Sequence, residues 1–187
     1  MNTLLRPAAA LFLLLVSTVT LPARGEVVDS SASGFTVRNR VRIAATPEAV
    51  YDRVVRDVGG WWNPAHTFSG DARNLSIDDN AGGCFCEKLK NGGSVRHMTV
   101  VYANPGKILR LEGGLGPLQS MGVAGSLTWT FAPDAGGTVL ELTYCVGGYT
   151  PGGLQRISSM ADRMLDEQIG RLKNLIEIGD PAGGGKK

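Results

Sequence analysis

The sequence has few cysteines, few aromatic residues and little excess of either charge. Of its 187 residues, three are cysteines and 6% are aromatic, whereas hydrophobic residues make up 43%. Three cysteines cannot supply the disulfide framework of a small secreted scaffold. A chain of this length and composition is expected to bury one hydrophobic core. We therefore predict a single globular domain and exclude a disordered or fibrous protein.

The first 25 residues have the parts of a secretory signal peptide. Arg6 precedes an uncharged, mostly apolar run over 8–21, and small residues at Ala23 and Gly25 precede a predicted cut before Glu26. The uncharged stretch up to Arg24 is at the short limit for a membrane span. We predict a cleaved signal peptide over 1–25 and a periplasmic or secreted location, with an uncleaved membrane anchor as the alternative.

Cleavage would leave a mature protein with no net charge, because Arg6 and Arg24 are lost and the remaining 17 basic residues equal the 17 acidic ones. Binding to nucleic acids and anionic membranes depends on clustered Lys and Arg. We therefore expect neither nucleic acid nor, after cleavage, a membrane as a partner. The sequence has no phosphate loop and no His-Glu-x-x-His motif, and we predict no cofactor. It leaves the oligomeric state open.

The mature chain begins with a predicted linker over 26–33. Alternating apolar residues over 34–43 then predict a half-buried strand. Thr46-Pro47-Glu48 is a typical helix start, and Gly59-Gly60 ends the helical region. Turn residues divide the following segment into six further predicted strands, near 74–78, 83–89, 94–103, 107–112, 124–132 and 138–147.

The last predicted element is a long amphipathic helix. Apolar residues recur at three- and four-residue spacing from Leu154 to Ile176, and Gly179 supplies the expected C-terminal stop. We predict a domain over 34–178 and a disordered tail over 179–187.

This order of elements and its local motifs resemble the START-like or SRPBCC superfamily, also called helix-grip. The motifs are Ala45-Thr46-Pro47-Glu48, Gly59-Gly60-Trp61-Trp62, Gly82-Gly83-x-Phe85 and Asn104-Pro105-Gly106-Lys107. They are similar to the polyketide cyclase-like or Hsp90-ATPase-activator-like branch. The resemblance implies an α+β fold, in which a seven-stranded curved antiparallel sheet, with two short helices after its first strand, surrounds the long C-terminal helix.

The resemblance also implies an apolar cavity between the sheet and the C-terminal helix. We predict an exported protein that binds a hydrophobic or aromatic small molecule there. The predicted ligand contacts come from the aromatic loop after the first helix, a glycine-rich segment, the strands and the C-terminal helix: Trp61, Trp62, Phe68, Phe85, Leu118, Met121, Trp129, Tyr144, Met160 and Met164. For each of them a place in a solid core is the alternative.

A hairpin turn at Asn91-Gly92 would decide which polar side chains meet on the next pair of strands. A two-residue turn pairs Cys86 with His97, Cys84 with Thr99, and Glu87 with Arg96. A slip of one residue pairs His97 with Glu87 instead.

In the first register Cys84, Cys86 and His97 share one face, and Cys145 is a conceivable fourth ligand for a soft metal. We nevertheless predict no metal, and expect the cysteines to be small buried hydrophobes. We expect no disulfide between Cys84 and Cys86, because residues two apart on an extended strand lie near the upper limit for bridging. Pairing of either with Cys145 is left open.

The alternative function is a cyclase- or hydrolase-type enzyme that uses His97 or Glu87 as a general base in the same cavity. His66 and Asp71 are further titratable candidates, but no sequence motif gives either histidine a partner. An interaction module like the Hsp90 activators fits poorly with export.

Overall fold

The computed structural model describes residues 25–184, so the predicted signal peptide lies outside the described residues except for Gly25. Within this range, eight strands form one antiparallel sheet in the order β1-β2-β8-β7-β6-β5-β4-β3. The strands are β1 (Glu26–Ser31), β2 (Gly34–Ile43), β3 (Leu75–Ile77), β4 (Cys84–Lys88), β5 (Ser94–Asn104), β6 (Ile108–Glu112), β7 (Gly122–Asp134) and β8 (Gly137–Tyr149).

The eighth strand is β1, which corrects the prediction of seven. It occupies most of the segment assigned to a linker and pairs with β2, Val27 opposite Val37 and Ser31 opposite Gly34. Every residue of β1 is exposed, so it carries no apolar alternation that would have identified it as a strand.

The described part of the chain also contains three α-helices: α1 (Pro47–Arg56), α2 (Val58–Trp61) and α3 (Gln155–Ile178). The predicted helix start is confirmed, because Thr46 Oγ1 accepts a hydrogen bond from the Ala49 N–H at 3.3 Å. Gly179 ends α3 in the left-handed conformation, with φ of 74°. Among residues 25–184, no helix combines the length and the hydropathy needed to cross a bilayer.

Helix α3 packs against the inner face of the sheet, and the core lies between them. Leu165, Ile169 and Leu172 of α3 are completely buried. Trp61 from α2 packs edge-on against Trp129 of β7 at 6.0 Å between ring centroids. Burial of each large side chain contributes about 1.5–3 kcal/mol. Most of the predicted cavity region is therefore a solid core.

A β-bulge interrupts the hairpin of β4 and β5. Cys84 pairs with Thr99 as predicted, but Cys86 pairs with Arg96, so that His97 is the extra residue of the bulge. The predicted pairs of Cys86 with His97 and of Glu87 with Arg96 are wrong. The turn is also longer than predicted, because β4 ends at Lys88 and β5 begins at Ser94.

The bulge accompanies a disulfide between Cys84 and Cys86, contrary to the prediction of no bridge between them. The Cα atoms of these residues are 5.4 Å apart, closer than the roughly 6.5 Å of two residues on an extended strand. The bent strand thus brings the cysteines within bridging distance. Cys145 on β8 is exposed and unpaired. None of the three cysteines is a buried small hydrophobe.

Candidate functional site

A cavity of about 210 Å³ lies between the sheet and α3. Its walls come from the connection after α2, the bulged hairpin, the segment before β7 and one position of α3. The lining residues are mainly apolar: Trp62, Ala65, His66, Thr67, Phe68, Phe85, His97, Leu115, Gly116, Pro117 and Met164. Met164 is the contribution of α3 to this lining, so the cavity is smaller than one that runs the length of the helix.

The structure brings four of the predicted ligand contacts together at this cavity, namely Trp62, Phe68, Phe85 and Met164. The other six lie elsewhere. The core holds Trp61, Leu118, Trp129 and Tyr144, whereas Met121 is half-buried at the edge of the core and Met160 is 52% exposed.

Two of the core residues have polar groups with structural partners. Trp61 Nε1 donates to the Arg53 carbonyl at 3.0 Å. Tyr144 donates to the Gly113 carbonyl at 2.9 Å and accepts from the Leu115 N–H at 3.0 Å. Burial raises the pKa of Tyr144 to about 12. Tyr144 therefore fixes the wall segment that contains Leu115 without reaching the cavity.

The most distinctive polar feature of the site is a buried pair formed by Glu87 and His97. Their side chains are 0% and 3% exposed, and Glu87 Oε2 lies 3.0 Å from His97 Nε2. The carboxylate also accepts from the Phe68 N–H at 3.1 Å and from the Ser69 N–H. Three donors thus converge on the two oxygens of one carboxylate.

The surroundings of the pair favour a charged Glu87 and a neutral His97. Burial opposes ionisation of Glu87, but hydrogen bonds from Ser69, Phe68 and His97 outweigh it, so the pKa of its carboxyl is lowered. Burial also lowers the pKa of His97, and Glu87 offsets this effect only in part. The imidazole therefore keeps one proton, which Nε2 donates to Glu87.

The second ring nitrogen of His97 and the ring faces are turned to other partners. Gln119 Nε2 lies 3.4 Å from His97 Nδ1. The rings of Phe68 and Phe85 lie at centroid distances of 5.9 and 4.9 Å from the imidazole, tilted by 32° and 36°. His97 is thus a single polar group set among aromatic rings at the cavity wall.

The connection after α2 is also hydrogen-bonded to α3. His66 Nε2 lies 3.1 Å from Glu167 Oε2, and Asn63 Nδ2 donates to the same carboxylate. The Asn63 N–H donates to Gln168 Oε1 at 2.8 Å. This wall of the cavity is therefore held from α3 on one side and from Glu87 on the other.

The remaining sequence candidates do not contribute to the site. Asp71 forms an exposed ion pair with Arg73 at 2.7 Å and is not at the cavity. The soft-metal alternative loses two ligands, because the sulfur atoms of Cys84 and Cys86 are joined. Over residues 25–184 no group of three or more His, Cys, Asp and Glu side chains could hold a metal ion.

Sequence reasoning missed the wall formed by Leu115, Gly116 and Pro117. These residues lie in the glycine-rich segment from which the neighbouring Leu118 and Met121 were chosen instead. The short 3₁₀-helix over Gly116–Ser120 turns Leu118 into the core. A Pro after a Gly signals such a turn, but not which side of it faces a cavity.

Comparison with known proteins agrees with this architecture. A family model described as polyketide cyclase / dehydrase and lipid transport matches residues 34–177. The chain belongs to this family, which confirms the predicted START-like or SRPBCC superfamily. A search of curated proteins finds no significant match.

Several solved structures share the fold. CalU16 from Micromonospora echinospora is 14% identical with a TM-score of 0.59, and the match covers 86% of this chain and 87% of that one. A protein from Mesorhizobium loti is 20% identical with a TM-score of 0.56, covering 78% and 98%. DynU16, from the dynemicin biosynthetic locus, is 22% identical with a TM-score of 0.55, covering 79% of this chain and 49% of that one. At these identities the likeness shows the fold alone.

Proposed function

We propose that this protein binds a small aromatic molecule of one or two rings in the cavity beneath the connection after α2. The observation that carries the proposal is the cavity itself, a mainly apolar space whose lining includes His97, the partner of the buried Glu87. A pocket of this kind, mostly apolar with a few converging polar groups, is typical of small-molecule sites.

The volume limits the size of the ligand. At about 210 Å³ the cavity is below the roughly 300–1,000 Å³ of pockets for drug-sized molecules, whereas a dry apolar cavity of about 150 Å³ accepts benzene. One or two fused rings therefore fit, and a long acyl chain does not fit entirely.

The lining also favours a flat ring. Trp62 and Phe85 pack against each other at 5.4 Å between ring centroids, and Met164 lies on the wall that α3 supplies. Aromatic walls stack on rings, and a methionine adapts to their outline. A hydroxyl on the ligand would donate to His97 Nδ1 in place of Gln119, because the other ring nitrogen is already paired with Glu87.

The proposal is tested with 2-naphthol, a two-ring phenol, titrated by calorimetry. We expect saturable binding to the protein, and a loss of binding of tenfold or more in Met164→Trp, which fills the cavity. Met160→Trp is the matched control, since Met160 lies one helical turn away and is exposed. Equal binding by both variants would show that the ligand does not use the cavity, and no binding to the unaltered protein would refute the proposed ligand class.

A second candidate function is proton abstraction by His97. It rests on the paired Glu87, because a buried carboxylate that orients a neutral imidazole is the arrangement of a general base. The base would take a proton from an acidic C–H beside a carbonyl group, leaving an enolate, and Gln119 would have to move from Nδ1.

The enzymatic candidate has a separate test. With acetylacetone in deuterated water, we expect the protein to accelerate exchange of the C–H between the carbonyls, and His97→Asn to abolish this acceleration. Exchange at the buffer rate with the unaltered protein would exclude this role. That result would not bear on the proposal that the cavity binds 2-naphthol.

The location of the protein is a further part of the proposal. The signal-peptide pattern over 1–25 supports export to the periplasm or the medium. Fractionation of a bacterial culture that expresses the full chain tests this, and retention in the cytosol would contradict it.

A further inference from the structure

The start of β1 lies against a polar cluster on β2 and α3. Asn39 is completely buried, although its neighbours on the inner face of β2, Val37 and Val41, are apolar. Its Nδ2 donates to Asp162 Oδ1 at 2.9 Å. Burial and the charge of Asp162 raise the pKa of the second carboxyl in this cluster, that of Asp166.

This cluster contains more acceptors than donors. Within residues 25–184, Asn39 Oδ1 has no hydrogen-bond partner although it is buried. Asp162 accepts from the NH₂ group of the same amide, and Asp166 follows one turn later on α3 with Asp162 as its charged neighbour. An unpaired buried acceptor costs about 1–3 kcal/mol, and a cation with several N–H donors would satisfy all three groups.

The chain enters this cluster at the predicted cleavage site. A backbone hydrogen bond from Gly25 partly offsets the rise in the pKa of the Asp166 carboxyl, which places Gly25 beside Asp166. A Cβ placed on Gly25 would lie 2.3 Å from Asn39 Nδ2 and 2.7 Å from Asp162 Oδ1, so Gly25 packs directly against these two side chains. Strand β1 begins at the next residue, Glu26.

We propose that Asn39, Asp162 and Asp166 form a binding site for the α-ammonium group of Glu26, which hydrolysis of the Gly25–Glu26 bond would create. Water adds across the peptide bond, giving a carboxylate on the released peptide and an ammonium group on Glu26, and a signal peptidase catalyses the step.

Bond lengths set an upper limit on the distance from the new ammonium group to the cluster. Glu26 N is about 2.4 Å from the Gly25 Cα, and a Cβ would be about 1.5 Å from that Cα. Glu26 N is therefore at most about 7 Å from Asp162 Oδ1, and the departure of Gly25 vacates the space between them. An ammonium group carries three donors, one for each acceptor. The site would thus add, in the processed chain, a second link between β1 and α3 beside the hydrogen bond from Ser30 to Ser158.

The test compares two forms of the protein by thermal unfolding. One starts at Glu26, released from a removable fusion partner, and the other retains Gly25 preceded by a short uncharged extension. We expect the first form to unfold about 2–4 °C higher, and this difference to vanish in the Asp162→Asn, Asp166→Asn double variant. Asp29→Asn, an exposed acid on β1, is the control and should preserve the difference.

Two results would overturn the inference. One is equal stability of the two forms, or a difference that persists in the double variant. The other is an N-terminal residue other than Glu26 when the exported protein is sequenced. A failure of 2-naphthol to bind would leave the inference standing, because the cluster shares no residue with the cavity.

Discussion

The carboxylate of Glu87 is the group on which the site depends most, and Glu87→Gln isolates its contribution. The carboxylate accepts from Phe68 N–H, Ser69 N–H and His97 Nε2. A glutamine has nearly the same shape but only one acceptor oxygen, and its NH₂ group would face at least one of these donors.

The magnitude follows from the number of bonds lost. A hydrogen bond to a charged group contributes about 1.5–3 kcal/mol, and a buried donor left without a partner costs about 1–3 kcal/mol. We expect a loss of about 2–4 kcal/mol in the free energy of unfolding, which lowers the unfolding midpoint by roughly 4–16 °C in a domain of this size.

Thermal unfolding and amide hydrogen exchange together test this prediction. Exchange at Phe68 and Ser69 should accelerate strongly, because the bonds that hold this wall of the cavity are lost. The control is Glu112→Gln, an exposed acid at the end of β6. If Glu87→Gln unfolds at the same temperature as the control and retains protection at both amides, the assigned role of Glu87 is wrong.

Other predictions concern pH, the tryptophans and the disulfide. Because the folded pKa of His97 is below its ordinary value of about 6.5, stability should fall as pH falls from there toward the folded pKa, and His97→Gln should flatten that part of a urea-unfolding series. Trp62→Ala should weaken 2-naphthol binding by tenfold or more in calorimetry, whereas Trp61→Ala should chiefly lower stability, by about 3–5 kcal/mol in urea unfolding. Replacing Cys84 and Cys86 with serine should change 2-naphthol affinity more than stability, because the bridge closes too short a loop to constrain the unfolded chain much.

The long helix and the first helix start could be predicted because each depends on local signals. The apolar spacing of α3 and the cap at Thr46 are properties of consecutive residues, and the structure confirms both. Strand β1 could not be predicted, since an exposed edge strand buries neither face and needs no alternation.

The site could be predicted only in part, because its geometry depends on the bulge. Pairing rules place Cys86 opposite His97 only if both strands are regular. The extra residue at His97 instead brings its ring to Glu87 and the neighbouring Cys84 and Cys86 together. No local signal in the sequence specifies this bulge, so the disulfide was not expected and the contact of His97 with Glu87 was predicted only as the alternative register.

The sequence also could not predict which inward-facing residues line the cavity and which pack in the core. Alternation shows that Trp129, Tyr144 and Phe85 share the inner side of the sheet, but all inner positions look alike in the sequence. Which of them border empty space depends on how α3 and the connection after α2 pack over the sheet.

The central claim is that a small aromatic ligand occupies the cavity at Met164. Its most direct test is a titration with 2-naphthol followed by the ¹³C-methyl resonances of the methionines. We predict a large, saturable shift at Met164 and none at Met160, which lies on the exposed side of the same helix. Unchanged methyl resonances at a saturating ligand concentration, or equal shifts at both residues, would contradict the claim.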